Sequence, residues 1–76
     1  MIDPWHMRVI DYSIVVNRKR LDVDLFEVIQ WTKKNCPHYI CNQYHGGHYG
    51  NDLIDFLFLD QPDVRNEMNW FILRWS

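Results

Sequence analysis

Apolar residues recur at two different intervals along this chain, and those intervals divide it into elements. In MRVIDYSIVV, residues 7–16, Ile10, Tyr12, Ile14 and Val16 lie on one alternating face and Asp11 and Ser13 on the other. A period of two predicts a half-buried strand. After the polar NRKR comes LDVDLFEVIQWTKKNCP, in which Leu25, Val28, Ile29 and Thr32 form a stripe at helical spacing with Phe26 at its margin. Asp24 is placed to cap this helix with Glu27 three residues on, and Val23 and Val28 take the staple positions. Lys33 and Lys34 fall in its last turn, where the helix dipole favours cations, and Asn35 with Pro37 closes it.

Two strand-like runs, HYICNQYH and LIDFLFLD, flank GGHYGND, which holds all three glycines of the chain, and together they predict a β-hairpin. Ile54, Phe56 and Phe58 share one face of the second run, with Leu53, Asp55, Leu57 and Leu59 on the other. The C-terminal DQPDVRNEMNWFILRWS begins as a helix near Pro62. Its last part fits two periods. WFILRW is either a strand with Phe71, Leu73 and Trp75 on one face, or more helix, since Val64, Met68, Phe71 or Ile72, and Trp75 extend one stripe. Ring and β-branched content and the break at Asn69 favour the strand.

The resulting order predicts an α+β fold, a ferredoxin-like βαββαβ sandwich with one antiparallel sheet and two helices on one face. The alternative is βαββα with a longer C-terminal helix. In the ferredoxin-like arrangement, strand order 4-1-3-2, the first and third strands are central. The strand around Cys41 and the WFILRW strand would then be the edges.

Length fits this layout: 76 residues make a single small domain, 1–76. A domain of this size buries only about 60% of its unfolded surface and needs a dense core. Aromatics make up 16% of the chain, more rings than so small a core can hide, so some are expected at the surface to serve a partner. A net charge of −2 gives no global attraction to nucleic acid or anionic membrane. The local exception is the basic patch Arg18, Lys19 and Arg20, read as a solvated turn. No apolar run approaches a membrane span, and MIDPWHMRVI lacks the features of a signal peptide, so the expectation is an intracellular, cytoplasmic protein with free thiols at Cys36 and Cys41.

The ending FLFLDQPDVRNEMNWFILRWS resembles the tails of small, mostly uncharacterised proteins of tailed bacteriophages, in which a strand, a short acidic-started helix and an aromatic-rich strand close the chain. The resemblance covers about the last twenty residues. It implies a virus-encoded accessory protein, acting in the host cytoplasm, and carries over no catalytic residue.

Chemistry-bearing residues concentrate in CPHYICNQYHGGHYG, which holds both cysteines and three of the four histidines. Zinc takes four Cys or His ligands in a tetrahedron. Cys41, His45 and His48 are the candidate metal ligands, but His38 faces away from Cys41 on an extended strand, and no second cluster completes the set. Nucleic-acid binding through the sheet is disfavoured because NDLIDFLFLD has acids where an RNA-binding strand needs Arg or Lys, and Asp11 and Asp55 would repel phosphate. Catalysis finds no nucleophile and base at a useful spacing, and Cys36 at a helix C-terminus lies in the wrong field for a thiolate. The leading expectation is therefore a non-enzymatic accessory protein that binds a host or viral protein through exposed edge strands and aromatics. Trp5, Tyr44, Tyr49 and Trp75 are its candidate contact residues, with Trp31 and Trp70 assigned more to the core. Edge-strand pairing could also build a homodimer.

Overall fold

The computed structural model describes residues 7–44 and 52–75. Trp5, His45, His48 and Tyr49 lie outside the described residues. The elements are β1 (Met7–Ile10), β2 (Ser13–Asn17), a 3₁₀ turn (Arg18–Arg20), α1 (Leu25–Asn35), β3 (Tyr39–Tyr44), β4 (Leu53–Phe58) and α2 (Val64–Trp75). The strands form one antiparallel sheet in the order β1-β2-β4-β3.

The first strand expected from the sequence is two strands. The chain reverses at Asp11 and Tyr12, so that Ile10 pairs with Ser13 and Met7 with Val16. Asp11 takes a positive φ of 52°, a conformation that Asp tolerates better than most residues. The turn is held from a distance. Arg65 on α2 donates to the Asp11 carbonyl at 2.7 Å and lies over the Tyr12 ring at 4.5 Å, while Phe58 N–H donates to the Tyr12 carbonyl at 2.9 Å. Ile14 and Val16 keep the core face assigned to them, but Ile10 falls on the opposite face with its partner Ser13.

The end of the chain differs from the favoured reading as well: residues 70–75 are the last turns of α2, a helix of 12 residues. The burial pattern shows why the helical period wins. Val64, Met68, Phe71 and Trp75 are all buried, whereas Leu73, which a strand would place beside Phe71, is 77% exposed. Modest helix propensity at Trp70, Phe71 and Ile72 is overridden by packing, because Phe71 meets the rings of Phe56 at 4.8 Å, Trp31 at 6.4 Å and Phe58 at 6.5 Å. The sheet position expected for WFILRW, beside β2, is filled instead by β1.

β4 lies between β2 and β3 and runs antiparallel to both, so β2, α1 and β3 form a split β-α-β unit. Both helices pack on the face bearing Ile14, Val16, Ile54, Phe56 and Phe58. From α1 come the buried Val28 and Thr32 and the half-buried Leu25, Ile29 and Trp31, with Asp24 capping through its side chain to Phe26 N–H at 3.2 Å. Phe26 remains outside, 65% exposed. The strand carrying Cys41 is a sheet edge, as expected, and is bulged between Tyr39 and Cys41. No helix among the described residues is long and apolar enough to cross a membrane.

Candidate functional site

α2 sorts its rings onto opposite sides. Its inward stripe ends in Phe71 and Trp75, and its outward face carries Asn66, Trp70 and Leu73 at helical neighbour spacing. Trp70 is 60% exposed. Burying so large a ring is strongly favourable, so a Trp left in solvent is informative where an exposed Leu would not be.

Beside Trp70 lies a cleft of about 320 Å³ lined by Asn35, Pro37, Asp63, Asn66, Glu67 and Trp70. Two elements build it: the end of α1 with the following turn forms one wall, and the first two turns of α2 form the other. A carboxylate ties the walls together. Glu67 is buried, its Oε1 accepts the His38 backbone N–H at 2.9 Å, and its Oε2 meets His38 Nδ1. An ionised carboxylate only accepts, so the ring donates from Nδ1. Cys36 completes the joint, its thiol pointing to the Glu67 carbonyl at a long 3.9 Å. Sequence reasoning missed this joint because its members are 29 and 31 positions apart.

The Cys36 thiol is 2% exposed, and burial, reinforced by the nearby Glu67 charge, pushes it from its ordinary 9.0 up to about 11. At neutral pH the thiol therefore stays protonated, and Cys36 packs in the core. A pH effect on stability follows. Because the folded-state value lies above the unfolded one, the contribution is fully present below pH 9 and is lost as the pH rises toward 11. Tyr39, raised by burial and then by Cys41, acts in the same direction at the upper end of that range. Urea midpoints measured between pH 8.5 and 11 should fall with pH in the wild type and fall less steeply in Cys36→Ala.

The other expected site residues are scattered. Tyr44 is 57% exposed on β3 and borders a depression of about 400 Å³ with Leu25, Ile29, Asn42, Gln43 and Ile54, none of them charged. Trp75, expected as a contact residue, is instead buried against Trp31 at 5.9 Å, with Arg74 over its ring at 4.2 Å. Arg18, Lys19 and Arg20 form the turn after β2, which is anchored to Asp52 by Arg18 N–H at 2.7 Å and by the exposed pair Lys19–Asp52 at 3.3 Å. Cys41 is exposed on β3, and among the described residues no three His, Cys, Asp or Glu side chains are grouped to hold a metal.

Comparison with protein-family models, curated proteins and solved structures finds no match. What the chain does must therefore be argued from its own surface. Asp63, Asn66, Trp70 and Leu73 rise along one side of α2, and the Glu67–His38 joint holds that side against the α1 turn. A partly apolar face that exposes an indole is of the kind that packs against other macromolecules.

Proposed function

We propose that this chain is a small non-enzymatic accessory protein that binds a host or viral protein, with the outward face of α2 as its contact surface. The observation that carries this reading is Trp70, 60% exposed beside a cleft and followed one turn later by the 77% exposed Leu73. Trp is among the residue types that dominate binding energy when they become buried at an interface. Strand addition has less support, since β1 is only four residues long and β3 is bulged, two features that blunt sheet edges.

In the same reading the layout is ferredoxin-like with its outer strand moved from the C-terminus to the N-terminus. The order β1-β2-β4-β3 matches 4-1-3-2 when β2, β3 and β4 are counted as the first, second and third strands and β1 as the fourth.

A photo-crosslinking residue at position 73 should join the protein to its partner in extracts of the producing cell, while the same residue at position 26, exposed on α1, should give no such product. Crosslinks from position 26 alone would reject the α2 face. Crosslinks from neither position would reject the interaction.

A further inference from the structure

The chemistry of the Trp70 cleft narrows the kind of side chain that enters it. Its lining carries two carboxylates, Asp63 and Glu67, and contains no Lys or Arg. Asn35 spends one of its two amide N–H donors on the Trp31 carbonyl at 2.8 Å, which leaves its side-chain oxygen and its second N–H for a ligand. Asp63 directly precedes the first residue of α2, and its side chain makes no ion pair among the described residues. The Glu67 carboxylate, by contrast, is already engaged by His38. Pro37 and the exposed indole of Trp70 supply apolar walls.

We propose that this cleft takes an arginine side chain of the partner protein. The methylene stem lies against Pro37 and Trp70, and the guanidinium reaches Asp63 and the Asn35 oxygen. The planar fork of N–H donors suits a carboxylate beside an amide oxygen, and the indole face adds a cation–π attraction. A lysine offers fewer donors and no planar group to stack. An acidic or phosphorylated segment would meet Asp63 and be repelled. The inference rests on the α2 face being the interface and goes further by naming what that face recognises.

The test uses the full chain, ¹⁵N-labelled, titrated with a capped Gly-Arg-Gly peptide and with the same peptide carrying citrulline, the neutral isostere of arginine. The arginine peptide should produce saturable shifts at the Trp70 indole N–H and the Asn35 side-chain amide, and the citrulline peptide should not. Asp63→Asn should weaken binding by about threefold to fivefold, the scale of an exposed ion pair, and Trp70→Leu should abolish it. Both positions are exposed, and unchanged spectra elsewhere would show that the variants fold. Equal binding of citrulline, arginine shifts that persist in Trp70→Leu, or no indole shift at millimolar peptide would each overturn the assignment of arginine. These outcomes leave the α2 interface to the crosslinking result, so the two claims can fail separately.

Discussion

Phe71→Ala is expected to lower the unfolding free energy by about 3–5 kcal/mol, the range for truncating a fully buried ring. Phe71 is 0% exposed and packs against rings from the sheet and from the other helix, Phe56 and Phe58 of β4 and Trp31 of α1. Its removal opens a cavity where the sheet and the two helices meet, and neighbouring rings cannot refill it without leaving their own contacts. Natural domains hold only about 5–15 kcal/mol in total, and one of this size sits toward the lower end. Urea unfolding followed by far-ultraviolet circular dichroism should therefore show a greatly shifted midpoint or no cooperative transition. A loss below about 1 kcal/mol would mean that α2 does not pack through Phe71.

Glu67→Ala is the second large effect, expected at about 2–3 kcal/mol. The Glu67 carboxylate answers two His38 donors, one from the backbone and one from the ring, and no other acceptor in the joint replaces it. His38→Ala should cost less, because the backbone donor to Glu67 Oε1 survives. The same unfolding assay ranks the two variants. The reverse order would show that the ring contact, not the backbone one, joins the α1 turn to α2.

How much of this was legible in the sequence differs from element to element. α1 could be read from its residues because its cap at Asp24, its stripe through Val28 and Thr32 and its closing Asn35 are local signals that agree. The β3–β4 pairing followed from alternation in LIDFLFLD and the glycines before it. The reversal at Asp11 was not legible, since Asp-Tyr lacks the Asn-Gly or Gly signature of a two-residue hairpin turn and its support comes from Arg65, 54 positions away. The end of α2 was misread for a related reason: aromatic and β-branched residues carry strand propensity, and only the location of Phe56 and Trp31 in space decides for the helix.

The helical period of α2 also decides which rings reach the surface. A strand leaves Trp75 among the available rings, whereas the helix turns Trp75 inward and Trp70 outward. Asp63, Asn66 and Trp70 form one side only on a continuous helix, and Asn35 and Pro37 join them only once α1 has packed alongside. No short sequence motif encodes such a cleft.

In the function proposed above, the adjacent residues Trp70 and Phe71 have opposite duties, one for a partner and one for the core. This division is tested most directly by measuring both properties of Trp70→Ala in parallel: its urea midpoint, and its retention of the partner that crosslinks to position 73. The expected result is a stability within about 0.5 kcal/mol of the wild type, as for other surface substitutions, together with loss of the partner. Retention of the partner at wild-type strength by a folded Trp70→Ala protein would contradict it.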